Sequence, residues 1–271
     1  MESSNIMSGL PDDYITHPFT SLSKLNIEAE RVLERLNQND DAGNQYILVL
    51  NLPRAIRTHL DEDKNVLQGI NFRLMFDGTT ALIKIVPSHP HEYATSRLRD
   101  NITFSAVLAG MSMDDILWSG KTTHRPSVAA NKGKEADDCF IPPTRQAGRN
   151  QPPGWPSLVI ETGVSESLTR LRQDARWWFE NSEGAVRTVI LLSIKRTCGT
   201  ILLEKWQLSP PGQPVTPAQA HGHPADDHTA NAASRTGTDR QPTSVHSADN
   251  YHYTNQRYRK SPHSYSLPGT T

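Results

Sequence analysis

Cysteine is scarce: Cys139 and Cys198 are the 2 cysteines of the chain. Neither sits at a zinc-ligand spacing, and two cannot staple a small secreted fold, so a reducing compartment is expected. Long apolar runs are also missing. Runs such as Val189 to Leu192 are far short of the roughly 20 residues that cross a bilayer. The opening stretch MESSNIMSGLPDDY is polar and acidic and lacks the apolar centre of a secretory signal. The expectation is an intracellular protein, cytoplasmic or nuclear, with no membrane partner. Excess charge of one sign is lacking as well: 28 Lys and Arg face 29 Asp and Glu, a formal net charge of −1. That excludes a bulk polyanion binder, so any nucleic-acid surface has to be a local patch. There is no glycine-rich phosphate loop, no serine-centred elbow and no solenoid repeat.

Hydrophobic residues make up 35% of the 271 residues, which is low for a wholly folded chain. The shortage is concentrated at the C-terminus. From Ser209 to Thr271 the chain is rich in Pro, His, Ser, Thr, Asn and Gly, with almost no large aliphatics. Such a segment buries too little apolar surface to offset its entropy, so a disordered tail is expected over 209–271. Residues 1–14 read as a flexible N-terminus, which leaves 15–208 as the folded domain.

Within that domain the informative stretch is WPSLVIETGVSESLTRLRQDARWWFE, Trp155 to Glu180. Leu158 to Ile160 reads as a short buried strand ending in Glu161, followed by a tight turn at Gly163. Ser165 or Ser167 is placed to cap a helix. Leu168, Leu171, Ala175, Trp178 and Phe179 share one face of it, and Trp177 points about 100° away. Upstream, Leu22 to Leu36 reads as a helix, Tyr46 to Leu50 as a strand, and Ile56 to Gln68 is ambiguous. Phe72 to Phe76 and Thr80 to Ile85 form a hairpin across Asp77-Gly78. A long helix begins near His91, with Ala94, Leu98, Ile102, Ser105 and Ala109 as its inner face and Glu92 in its first turn. Asp137 to Ile141 is a short strand. Val186 to Ile194 and Thr200 to Leu208 pair as a hairpin about Cys198-Gly199. The fold class read from this pattern is α/β, a mixed central sheet flanked by helices.

Asp137 (or Asp138) and Glu161 both border the core on strands before the same helix. If those strands are adjacent, the carboxylates meet, and they repel unless a cation lies between them or one stays protonated. Mg²⁺ or Mn²⁺ takes such oxygen ligands and can activate water against a phosphodiester. Glu92 is a candidate third ligand. Arg170, Arg172 and Arg176 on the helix can hold phosphate, or they form a solvated face. The tail histidines His221, His223 and His228 are read as incidental composition.

KEADDCFIP, WPSLVIETGVSES and RQDARWWF together resemble the PD-(D/E)XK nuclease superfamily, more narrowly the Uma-type restriction endonuclease family and related fungal proteins. The resemblance covers about His91 to Leu208. It implies a restriction-endonuclease-like fold and a metal-dependent nuclease, with Mg²⁺ or Mn²⁺ on Asp137, Glu161 and Glu92. It also implies nucleic acid as partner and a homodimer as one assembly. The sequence departs from the pattern at Ala136, where the family has proline, and at Gly163, where it has lysine. Arg172 or Arg176 is then the candidate replacement for that lysine, with weak cleavage expected because arginine does not act as a base. The alternative is a catalytically silent nuclease fold that binds nucleic acid or protein. A small-molecule hydrolase built on paired carboxylates is a third reading.

Overall fold

The computed structural model describes residues 5–87, 89–147, 154–196 and 199–208, and the backbone of 253–260. Among them two six-stranded mixed sheets and four helices form an α/β fold. Strand β1 (Ile15–Pro18) lies parallel to β2 (Tyr46–Leu50), with helix α1 (Leu22–Gln38) between them in sequence. Helix α1 starts where Ser21 Oγ accepts the Lys24 amide, and it buries Leu25, Ala29, Val32 and Leu36 on one face. Helix α2 (Arg54–Glu62) resolves the ambiguous stretch. The hairpin β3 (Phe72–Asp77) and β4 (Thr80–Ile85) turns at Gly78, whose φ of 61° suits glycine. Helix α3 (His89–Leu108) follows, and then four short strands: β5 (Leu117–Trp118), β6 (Thr123–His124), β7 (Lys132–Glu135) and β8 (Asp138–Ile141). Strand β9 (Leu158–Val164), helix α4 (Leu168–Asn181), β10 (Thr188–Lys195) and β11 (Thr200–Leu208) complete the domain.

The first sheet has the order β1-β2-β4-β3-β7-β6. The second is β12-β11-β10-β9-β8-β5, where β12 (Tyr253–Lys260) runs antiparallel to β11. An edge strand therefore stands inside the stretch whose composition reads as a tail; the remainder of 209–271 lies outside the described residues. So does Cys198.

The chain crosses from one sheet to the other between β7 and β8, at Ala136-Asp137. Alternation along the strands gives the first sheet two unlike faces. Ile47, Val49, Phe72, Leu74, Phe76, Ala81, Ile83 and Ile85 pack with α1 in one apolar core. Tyr46, Leu48, Met75 and Leu82, on the other face, join α4 and the second sheet in another. Arg73, Lys84 and Lys134 share that second face by their position in the alternation and register.

Three expectations change. Residues 5–14 are packed rather than loose: Ile6 is buried, and Arg170 donates to the Ile6 and Ser8 carbonyls at 2.8 and 2.9 Å. Helix α3 buries His91 and Thr95, while Ser105 and Ala109 are exposed. Polar bonds set its inner side, as His91 and Thr95 both reach Thr162 of β9, so apolar spacing was a poor guide. Trp177 is buried like Trp178, in edge contact with it and tilted on Trp155.

Candidate functional site

Strands β8 and β9 are adjacent and antiparallel, with Asp138 opposite Ile160. Asp137, one residue before β8, therefore comes beside Glu161, and the Thr162 amide donates to Asp137 Oδ2 at 2.9 Å. The two residues are thus neighbours across the strand pair, and the Asp137 charge raises the Glu161 carboxyl. Glu161 is not at a strand end, however: β9 runs on through Thr162 and Gly163 to Val164. It is a mid-strand residue, 2% exposed, and Asp137 is 5% exposed.

What lies between the carboxylates is protein. Around Asp137, Arg73 Nε stands 2.9 Å from Oδ1, and His91 Nε2 and Lys84 Nζ stand 3.3 and 3.5 Å from Oδ2. The Arg73 contact is a charge contact rather than an aligned hydrogen bond, since neither atom has a hydrogen-bond partner. Lys84 Nζ also donates to the Thr162 carbonyl and meets Glu166 Oε2 at 2.9 Å. The Tyr46 hydroxyl bonds the other oxygen of Glu166. Glu161 Oε1 accepts the Trp178 indole N–H at 2.6 Å and faces Lys134 Nζ at 3.2 Å. Lys134 continues to Asp174, which Arg170 holds at 2.8 Å. Four carboxylates (Asp137, Glu161, Glu166, Asp174) thus face four cations (Arg73, Lys84, Lys134, Arg170), all buried between the sheets and α4.

Titration follows from this arrangement. Burial raises the Asp137 carboxyl, but Lys84, His91 and Arg73 outweigh it and hold the group well below the usual range. Asp174 is likewise lowered, by Arg170 and Lys134 against burial. For Glu161 burial prevails: with Asp174 and Asp137 adding to it and Lys134 opposing, the carboxyl is pushed up to about 7. Lys84 and Lys134 are raised because their carboxylates overcome burial. They stay ammonium ions and are not free bases.

Glu92 is tied in at the rim, 3.3 Å from Arg73. Arg172 is not brought to the pair: its guanidinium binds both oxygens of Glu204 on β11 at 2.6 and 3.0 Å. Arg176 is exposed and pairs with none of the four carboxylates. Arg170 is 2% exposed, so it belongs to the core and not to a solvated face. Ser165 adopts φ 56° in the turn, and Ser167 precedes α4 without a side-chain capping bond.

Gly163, the position of the expected lysine, has no room for a side chain. A Cβ there would stand 2.7 Å from Glu166 Cβ and Oε2 and 3.1 Å from Leu171 Cδ1. The ammonium groups beside the two carboxylates are those of Lys84 and Lys134, from the other sheet. The signal for Arg73 and Lys84 was present in FRLMF and TALIKI, where a basic residue interrupts an apolar strand.

A divalent ion on Asp137 and Glu161 needs open oxygen positions and its own waters. Here both oxygens of Asp137 face cationic side chains, and Glu161 Oε1 is taken by Trp178 and Lys134. The cavity lined by Glu161, Lys84 and Lys134 is about 20 Å³, the size of one water and not of a nucleotide. As folded, these residues do not fit Mg²⁺ or Mn²⁺.

The other nucleophile-like pair is also inert. Cys139 Sγ lies 3.7 Å from His124 Nε2. Burial pushes the thiol up and holds His124 down at about 4, so both stay neutral at pH 7. No protein-family model matches this sequence, and no curated protein matches it.

Proposed function

We propose that the chain is a catalytically silent module of restriction-endonuclease-like type that binds a protein partner. One observation carries the silent reading: the Asp137 carboxylate is buried and already paired with Arg73 and Lys84, with His91 in contact. A nucleophilic water and a phosphodiester would have to displace this set, at the cost of stranding buried charge. Protein is the partner class because the exposed face of α3 carries the large apolar side chains Tyr93, Phe104 and Leu108 beside its polar ones. The test is calorimetric titration of Mg²⁺ and Mn²⁺ into the full chain, beside a cleavage assay on DNA and RNA. No stoichiometric metal binding and no cleavage are expected.

The metal-dependent nuclease stands as a second reading, favoured by the adjacency of Asp137 and Glu161 with ammonium groups at hand. In that reading Lys84 or Lys134, and not Arg172 or Arg176, takes the place of the lysine that Gly163 lacks. Mn²⁺ binding lost in Asp137→Ala, together with metal-dependent cutting, would select it and sink the silent module.

A further inference from the structure

Helix α3 spans 20 residues, yet its buried residues are His91 and Thr95. A helix of that length in a globular fold normally covers a core with a broad apolar stripe. Leu98 and Ile102 are partly covered, but other large apolar groups face outward: Tyr93 is 68% exposed, Phe104 65% and Leu108 72%. Tyr93, Arg97, Asp100, Phe104 and Val107 follow one another at alternating steps of four and three residues. That is the repeat of a two-helix seam.

We propose that this seam docks a second copy of the chain, α3 against α3, antiparallel about a two-fold axis. The sequence is self-complementary about a point between Leu98 and Arg99. Tyr93 of one copy then meets Phe104 of the other, Arg97 meets Asp100, Pro90 meets Val107 and His89 meets Leu108. Each contact occurs twice, as a two-fold interface requires. A parallel pairing would set Arg97 against Arg97.

The charges are available for this. Asp100 has a side chain 56% exposed and only a 3.5 Å contact to Arg99. Arg97 is exposed, with no ion pair among the described residues. The chain's own C-terminal stretch is a poor occupant: outside β12, residues 209–271 carry Val215, Val245 and Leu267 as their only aliphatics larger than alanine, proline aside, with Tyr251 and Tyr265 as their aromatics. A helix of this length is about 30 Å long. Met111, Met113 and Leu117, exposed beyond its end, extend the apolar surface toward the ~800 Å² per partner of a standard interface.

The inference rests on the binding-module reading, but the two fail separately: metal titration and cleavage judge the silent core, and assembly judges this interface. Sedimentation equilibrium of the full chain should give a reversible dimer. Phe104→Glu should leave a monomer with unchanged circular dichroism. Arg97→Asp should weaken the dimer about tenfold or more, and adding Asp100→Arg should restore it. A monomer at every concentration overturns the proposal. A monomer whose α3 amides lose exchange protection on cutting after Leu208 would give the face to the C-terminal residues instead. A dimer indifferent to Phe104→Glu places the interface elsewhere, and a swap that fails to rescue rejects the antiparallel register.

Discussion

Arg73 and Lys84 stand directly opposite one another across the β3–β4 hairpin, and Asp137 touches both. Like charges facing each other in a sheet are destabilising. These two side chains are only 5% and 8% exposed, so water does not screen them. Asp137 is what makes the arrangement tolerable. Asp137→Asn leaves two buried cations short of an anion and should cost about 3–5 kcal/mol on urea unfolding. An aspartate in an open, metal-ready site would lose little on the same change. A variant as stable as wild type would therefore remove the structural role assigned to Asp137.

The α/β class and several elements could be read in advance, but the one central sheet expected is two six-stranded sheets. The β3–β4 hairpin rests on Asp77-Gly78, and a turn there fixes Arg73 opposite Lys84. The adjacency of Asp137 and Glu161 was legible because two short strands before one helix tend to pair. The partners were not, because Lys84 and Lys134 arrive from another sheet, 53 and 27 residues from Asp137 and Glu161 along the chain. Arg172 is near Glu161 in sequence, but α4 turns it toward Glu204. Apolar periodicity failed on α3 because hydrogen bonds to Thr162 set its inner side.

Trp177 offers a check on the phase of α4. Apolar spacing sets it apart from Trp178, but it is 3% exposed and packs on Trp155 and Trp178. Trp177→Ala and Trp178→Ala should each cost about 3–5 kcal/mol. The second also removes the indole donor from Glu161, so it should be the larger loss. Denaturant midpoints decide the matter: a Trp177→Ala near wild type would mean that this ring is not in the core.

Restoring the nuclease-type lysine should harm the protein. Gly163→Lys drives a side chain into Glu166 and Leu171 and displaces the carboxylate that holds Lys84 and Tyr46. Even Gly163→Ala meets Glu166 at 2.7 Å and should destabilise by about 1–3 kcal/mol. Thermal melts of the two variants should fall in the order wild type, alanine, lysine. Gain of metal-dependent cleavage in Gly163→Lys, with stability kept, would contradict the packing account and revive the catalytic one.

Glu161 and His124 should pull the pH profile of stability in opposite directions. Burial raises the folded Glu161 carboxyl from 4.5 to about 7. Below 4.5 the group is protonated in both states, and its contribution is then lost as pH climbs through 7. Burial lowers folded His124 from 6.5 to about 4. Its contribution is present above 6.5 and is lost as pH falls through 4, because the unfolded chain takes up the proton first. Each is worth on the order of 3 kcal/mol, so in the wild type they largely cancel between about 4.5 and 6.5. Removing one exposes the other. Relative to wild type, Glu161→Gln should gain stability as pH rises across that window, and His124→Gln should lose it. Urea midpoints taken every half pH unit measure both slopes. Parallel curves for wild type and Glu161→Gln would show that Glu161 is ionised at mildly acidic pH, and that Lys134 controls it more strongly than burial does.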